Sequence, residues 1–94
     1  MNLRNVNINN TDFEVLLIMC SNCIIENSSF TYNDAEFSLV NSKNNIIRYN
    51  NMSKNFHGLL FDYGSKNNLV YNNNFISNNN CGIIIEYFSN NNLI

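Results

Sequence analysis

Residues 42–64 and 65–88 are one phrase written twice. The first runs Ser42-Lys43-Asn44-Asn45-Ile46-Ile47-Arg48-Tyr49-Asn50-Asn51-Met52 and, after a turn, Gly58-Leu59-Leu60-Phe61-Asp62-Tyr63-Gly64. The second runs Ser65-Lys66-Asn67-Asn68-Leu69-Val70-Tyr71-Asn72-Asn73-Asn74-Phe75 and, after a turn one residue longer, Gly82-Ile83-Ile84-Ile85-Glu86-Tyr87-Phe88. A period of about twenty-three residues is the signature of a solenoid, in which one coil cannot bury its apolar side chains alone and its neighbours complete the core. Any fold for this chain must therefore be built by stacking.

Aligning the rest of the chain on that phrase gives about four coils. Ile8, Ile25, Ile47, Val70 and Ile94 fall in one column, and Phe13, Phe30, Met52 and Phe75 five residues later. Thr11, Ser28, Asn50 and Asn73 lie between them, each a small side chain able to hydrogen-bond. An inward residue at offset zero and another at offset five break the alternation of a strand, so the chain must bend at this small polar column. Asn suits such a bend because it tolerates the left-handed backbone and its amide can bond a neighbouring coil, which predicts a polar ladder through Thr11, Ser28, Asn50 and Asn73. A second strand places Val15, Phe37, Leu59 and Ile83 in one column and Leu17, Leu39, Phe61 and Ile85 two residues on, on a common face. The leading residues Cys20, Ser42, Ser65 and Ser89 stand 22, 23 and 24 residues apart, and the first coil is expected to be short because Phe13 runs almost directly into Val15. Gly58 and Gly82 align with Glu14 and Glu36, so glycine does not look obligatory there.

Asn accounts for 25 of the 94 residues, with no Pro and three Gly. A disordered polar tract would have no reason to keep apolar residues at fixed offsets, as these do. Asn and β-branched residues are poor helix formers, and no segment holds a 3.6-residue period. A leucine-rich repeat needs Leu-x-x-Leu-x-Leu before its Asn, which Leu69-Val70-Tyr71-Asn72-Asn73 does not supply. The fold expected is all-β: a right-handed single-stranded parallel β-helix, pectate-lyase-like, forming one domain over residues 1–94. Because Ile94 stops in mid-coil without a cap, the expectation is a fragment whose open ends meet more coils of the same chain or a self-association partner.

The bulk properties narrow the function. Charged residues make up 13% of the chain and the net charge is -2, which offers nucleic acid no basic face. The longest apolar run, Val15 to Cys20, is far short of the roughly eighteen residues that suggest a membrane span. The first residues, Met1-Asn2-Leu3-Arg4-Asn5, lack the apolar core of a secretion signal.

The phrases Asn44 to Met52 and Gly58 to Phe61, with their echoes at Asn67 to Phe75 and Gly82 to Ile85, resemble the parallel β-helix repeat superfamily. That group includes NosD-type accessory proteins of nitrous-oxide reductase, the carbohydrate-binding and sugar-hydrolase domain, and archaeal adhesin-like surface proteins. The resemblance spans nearly the whole chain and implies an exported or cell-surface protein acting on, or binding, polysaccharide. It specifies a coil rather than a reaction.

Candidate site residues sit on the second strand. Asp62 and Glu86 share a column beside Tyr63 and Tyr87. Carboxylates on adjacent coils would lie about 5 Å apart by strand spacing, close enough to couple, and paired carboxylates are the equipment of glycoside hydrolysis. Flat tyrosine faces suit sugar rings. The ordinary alternative is a set of solvated outward residues, and Glu14 with Glu36 forms a similar pair. Leu16, Leu60 and Ile84, also outward by alternation, share their strand with Ile18 and Val40, so this face is unusually apolar and is read as the seat of a partner or a covering segment.

Cys20-x-x-Cys23 has metal-ligand spacing, but no second pair follows and the single histidine, His57, lies in another turn, so no metal and no cofactor are expected. Three cysteines argue against a disulfide framework; Cys23 reads as packing and Cys81 as a tolerated turn residue. His57 reads as an exposed turn residue rather than the base of an acid-base pair. Three glycosylation sequons, at Asn9, Asn27 and Asn51, are expected by chance among so many Asn. The leading expectation is a non-catalytic surface or adhesin-like β-helix whose Tyr63, Tyr87, Asp62 and Glu86 face binds carbohydrate. Its rivals are a fragment of a polysaccharide-degrading enzyme (lyase, glycoside hydrolase or epimerase) with Asp62 and Glu86 as acid and base, and a structural spacer. Short turns build no cleft, which weighs against the enzyme.

Overall fold

The structure is a computed structural model that describes residues 1–12, 15–34 and 37–94. Among the described residues ten short strands are wound into stacked coils. One parallel sheet holds β1 (Asn2–Arg4), β4 (Ile24–Glu26), β7 (Ile46–Arg48) and β9 (Leu69–Tyr71), in that order. A second holds β3 (Val15–Ile18), β6 (Phe37–Val40), β8 (His57–Asp62) and β10 (Cys81–Ile85). The third pairs β2 (Asn7–Asn9) with β5 (Ser29–Thr31) and continues through single bridges from Ser29 to Asn51 and from Asn51 to Asn74. We call these the first, second and third sides of the coil. Every pair is parallel, which a chain achieves only by going once around between neighbouring strands.

The inside is filled by like residues stacked on like. Ile25, Ile47 and Val70 form one column, and Phe37 and Leu59 another, all buried, with Phe30 against Phe37 edge-to-face at 4.8 Å. Leu39 and Phe61 are wholly buried on the second side. In a strand the neighbours of each inward residue face out, which gives β8 its pattern of buried Leu59, half-buried Leu60, buried Phe61 and half-buried Asp62.

Corners are made by a two-residue device. Seventeen described residues other than glycine have positive φ, and they fall in four columns: Asn5, Asn27, Tyr49, Asn72; Asn10, Tyr32, Lys54, Ser77; Met19, Asn41, Tyr63, Tyr87; and Asn22, Asn44, Asn67, Asn91, with Phe88 in addition. In three of the columns the next residue always turns inward and bonds the neighbouring coil; in the Met19 column Gly64 and Phe88 come between. The left-handed position turns the chain, and the inward polar side chain replaces the strand bond lost at the turn. Asn is the best non-glycine residue for the first role and serves the second equally well, so the Asn-Asn pairs Asn44-Asn45, Asn67-Asn68, Asn72-Asn73 and Asn91-Asn92 are corners. This is why Asn dominates the composition.

Three sequence expectations change here. The first coil is not short: Leu3 lies under Ile25 and Ile8 under Phe30, each 22 residues apart. Successive sides share one grammar, three strand residues, a left-handed residue and a polar inward one, so Asn7-Ile8-Asn9-Asn10-Thr11 imitates Ile24-Ile25-Glu26-Asn27-Ser28 one side out of step. Thr11 accordingly leaves the predicted ladder: its backbone N–H bonds Asn33 Oδ1 at 3.1 Å, and the residue beneath Ser28 is Val6, whose N–H bonds Ser28 Oγ at 3.1 Å. Phe13, Glu14 and Glu36 lie outside the described residues. Gly58, by contrast, is required: a Cβ there would fall 2.8 Å from Phe75 Cδ1, 2.9 Å from Asn78 Nδ2 and closer still to the carbonyl of Gly82, whereas Gly82 itself has room.

Candidate functional site

Four polar ladders run parallel to the solenoid axis. In the predicted one, Ser28 N–H donates to Asn50 Oδ1 at 3.0 Å and Asn50 N–H to Asn73 Oδ1 at 2.9 Å, while Asn50 Nδ2 reaches back to the Ile25 carbonyl at 2.9 Å. The sequence reading missed the other three: Cys23, Asn45, Asn68, Asn92; Thr11, Asn33, Asn55, Asn78; and Cys20, Ser42, Ser65, Ser89. The signal common to them is an Asn or Ser recurring at one offset from coil to coil, preceded in the Asn45 ladder by Asn22, Asn44, Asn67 and Asn91.

The corner between the first and third sides opens outward as a trough of about 720 Å³. Each coil contributes three consecutive residues: 5–7, 27–29, 49–51 and 72–74. Its floor is the ladder Val6, Ser28, Asn50, Asn73, and its rims carry Asn5, Asn27 and Asn72 on one side and Asn7, Ser29, Asn51 and Asn74 on the other. Tyr49 stands in the first rim, half exposed, and its ring meets Tyr71 edge-on at 5.8 Å. Among the described residues lining the trough none is Asp, Glu or His. Its chemistry is that of amides, hydroxyls and one phenol, which suit hydrogen bonding and ring contact.

Directly before the first rim, the last residues of β1, β4, β7 and β9 form a charged outward stripe. Glu26 receives Arg4 Nε on one oxygen at 3.1 Å and Arg48 Nε on the other at 2.8 Å, and Arg48 Nη1 also donates to Tyr71 Oη at 2.9 Å. The hydrogen bonds to Tyr71 and then to Glu26 hold the Arg48 guanidinium above its ordinary range, so it stays charged. Its carbon also lies 5.9 Å from the centre of the Tyr49 ring.

The sequence-nominated face lies elsewhere, at the end of the second side. Asp62 and Glu86 continue the β8 and β10 register in one column, with Glu86 N–H donating to the Phe61 carbonyl at 2.9 Å. Asp62 is half-buried and its Oδ1 accepts from the Tyr63 N–H at 2.9 Å, so this carboxylate caps its own turn; Glu86 is exposed. Tyr63 and Tyr87 are each 60% exposed, but their rings lie 5.1 Å apart at 8°, stacked on one another. The faces that would meet sugars partly cover each other. On the outward face of the same side Leu16 and Ile18 are exposed, Leu60 and Ile84 half-buried, and Ser38 buried.

Two corrections concern Cys and His. Cys20 and Cys23 form a disulfide that ties two adjacent corner columns within one coil; at the same positions the next coils carry Ser42 with Asn45 and Ser65 with Asn68. Counting cysteines could not reveal this, because the pair spans one corner rather than joining distant segments. Cys81 is free and exposed. His57 is not an exposed turn residue: it opens β8, is 9% exposed, packs edge-on to Phe56 at 4.3 Å, and leaves its Nδ1 without a hydrogen-bond partner. Among the described residues no group of three His, Cys, Asp or Glu could hold a metal ion.

A model of the right-handed β-helix region matches residues 1–94, the full length of the repeat array described above. The chain belongs to the right-handed β-helix family. No curated protein and no solved structure gives a significant match. With the interior packed by apolar columns, a ligand can meet only an outer face or corner, and the trough is one such corner.

Proposed function

We propose that this chain is a non-catalytic binding segment of a surface or adhesin-like β-helix, holding an extended glycan along the trough. The observation that carries this is the lining: hydrogen-bonding side chains from every coil, the ring of Tyr49 in one rim, and no acid or histidine. Sugar hydroxyls pair with amides and hydroxyls, and aromatic rings contact the apolar faces of sugars. An exported setting is supported by the Cys20–Cys23 disulfide, since such bonds persist in oxidising compartments. The purified chain should retain oligosaccharides in affinity electrophoresis without releasing new reducing ends. Tyr49→Ala should weaken retention about tenfold, the worth of roughly one aromatic contact. Retention lost instead with Tyr63→Ala plus Tyr87→Ala would move the site to the second side. Turnover abolished by Asp62→Asn would establish the enzyme reading, and no retention at all would leave a structural spacer.

A further inference from the structure

Four of the five tyrosines of this chain meet in pairs, and the two pairs are built differently. Tyr63 and Tyr87 occupy one corner column in successive coils, each left-handed, with φ of 48° and 46°, so their side chains leave the backbone in one direction. The Gly64 N–H donates to the Tyr87 carbonyl at 2.8 Å and the Glu86 N–H to the Phe61 carbonyl at 2.9 Å, which holds the two corners in register. The ring centres lie 5.1 Å apart at 8°, close to the spacing of about 4.8 Å between adjacent strands, and both rings are exposed. Tyr49 and Tyr71 instead meet at 76°, edge toward face, and Tyr71 Oη accepts from Arg48 Nη1 at 2.9 Å. The fifth tyrosine, Tyr32, has Lys54 Nζ on its oxygen at 2.7 Å. A cation beside a phenol opposes removal of an electron from it, whereas Asp62 and Glu86, which directly precede Tyr63 and Tyr87, act in the opposite sense.

We propose that Tyr63 and Tyr87 form a site of oxidative cross-linking, where a haem peroxidase using hydrogen peroxide joins the third and fourth coils through a dityrosine bond. Each phenol gives up one electron and its hydroxyl proton, leaving a tyrosyl radical whose unpaired spin is shared by the oxygen and the ring carbons next to the one that bears it. A bond forms between one such carbon of each ring, and the hydrogen on each bonded carbon then passes as a proton to its own ring's oxygen, restoring two phenols. The two electrons and two protons removed reduce one peroxide to two waters, so two tyrosines and one peroxide give one dityrosine and two waters. The spin-bearing lobes stand above and below a ring, so stacked faces bring them together, while an edge-on pair sets a lobe against a C–H edge. Holding both radicals on one molecule replaces a chance encounter with an intramolecular step. The exposure of the corner admits the oxidant and leaves the rings room to swing into the geometry of the joined product. The bond would tie two coils at the serine corner, whereas the Cys20–Cys23 disulfide closes a corner within one coil, and both belong to an oxidising setting. Whether the chain binds a glycan does not enter.

The test is treatment of the full chain, kept dilute, with a haem peroxidase and an equimolar amount of hydrogen peroxide, followed by dityrosine fluorescence, gel mobility and peptide masses. The product should run as a monomer and release one joined peptide pair, carrying Tyr63 and Tyr87 and short of two hydrogens. Tyr63→Phe and Tyr87→Phe, each of which keeps a ring in the stack, should cut the fluorescence about tenfold or more, and oxidation in urea should do the same, because each removes the preassembled pair of phenols. Tyr49→Phe with Tyr71→Phe should leave it unchanged. The joined chain should unfold at a higher urea midpoint and with a smaller m value, since the loop closed by the new bond cannot open fully. No dityrosine, dityrosine only between molecules, a Tyr49–Tyr71 bond as the main product, or full yield in urea would each overturn the site. An unchanged urea midpoint in the joined chain would overturn its role in locking the two coils.

Discussion

The corner of Cys23, Asn45, Asn68 and Asn92 and the corner of Cys20, Ser42, Ser65 and Ser89 lie three residues apart in every coil, with Gly64 and Phe88 inserted just before the serine in two of them, yet they hold the stack in different ways. An Asn amide has separate donor and acceptor ends. Asn68 Oδ1 accepts from the Asn45 N–H at 3.0 Å and from Asn45 Nδ2 at 3.0 Å, while its own Nδ2 donates to the Ser42 carbonyl and to Asn92 Oδ1, each at 3.0 Å. Three coils are joined through one side chain. A serine hydroxyl has a single hydrogen: Ser65 Oγ accepts from the Ser42 N–H at 3.0 Å and shares its proton between the Leu39 and Asp62 carbonyls, each at 2.9 Å. The backbone N–H of Ser42 and of Ser65 reaches the next serine's hydroxyl, but the hydroxyls of Ser42 and Ser65 donate to backbone carbonyls and not to one another. The difference predicts where the solenoid is rigid and where it tolerates extra residues, and the insertions Gly64 and Phe88 indeed fall at the serine corner.

The sharpest way to break that comparison is to remove the longest-reaching side chain. Asn68→Ala leaves the buried Asn45 N–H and the Ser42 carbonyl without their partners. Two such orphans should cost about 3 kcal/mol in urea unfolding, given roughly 1–3 for each group left unsatisfied. If the loss were below that of Ser65→Ala, the three-coil linkage would be an accident of geometry rather than a source of stability.

How much of this was legible in the sequence follows from the same corners. The repeat phrase, the inward columns of the second side and the Ser28, Asn50, Asn73 ladder could be read because apolar residues punctuate them at fixed offsets. The first-coil register could not, because two sides of the coil obey one local grammar, and only the long-range bonds from Val6 to Ser28 and from Thr11 to Asn33 choose between them. Three ladders hid because an inward Asn looks like a loop residue until its partner a coil away is known. The trough hid for a related reason: it is assembled from three ordinary residues per coil, and the charged stripe beside it pairs Arg4, Glu26 and Arg48 across residues 22 apart. Asp62 and the two tyrosines attracted notice because their residue types carry chemistry, although one caps a turn and the others stack together.

The first coil offers a second comparison, because there a covalent bond stands where the other coils use Ser and Asn. Reducing Cys20–Cys23 should lower stability by about 2 kcal/mol, the chain-entropy worth of so small a loop, and should do so in the wild type but not in Cys20→Ser plus Cys23→Asn. Parallel denaturant titrations with and without a thiol reductant decide it. An equal response in both proteins would mean that the reductant acts somewhere other than this corner.

Ser65→Ala comes next in size. It orphans the buried Ser42 N–H, while the Asp62 carbonyl still accepts from the Asn41 N–H at 3.1 Å and the Leu39 carbonyl stays within the β6–β8 ladder. About 1.5 kcal/mol should be lost, half the effect at Asn68. A loss equal to that of Asn68→Ala would show that the count of orphaned groups does not set the strength of a corner.

The smallest effect tests tolerance itself. Gly64 has φ of 76° and nothing within 4 Å of where a Cβ would stand, so the cost of substitution lies in the backbone alone. Gly64→Ala puts a side chain on a left-handed residue, a penalty of about 1 kcal/mol that is partly offset by the reduced freedom of the unfolded chain, leaving a net loss of roughly 0.5. Gly64→Asn should be close to neutral, since Asn accepts this conformation at nine other described corners. Matched urea midpoints for Gly64→Asn and wild type, with a small drop for Gly64→Ala, would establish the serine corner as the place where a coil can gain a residue. A drop of about 2 kcal/mol or more for the Asn variant would mean that the inserted residue is held by contacts of its own, and that tolerance at this corner is not a property of the serine ladder.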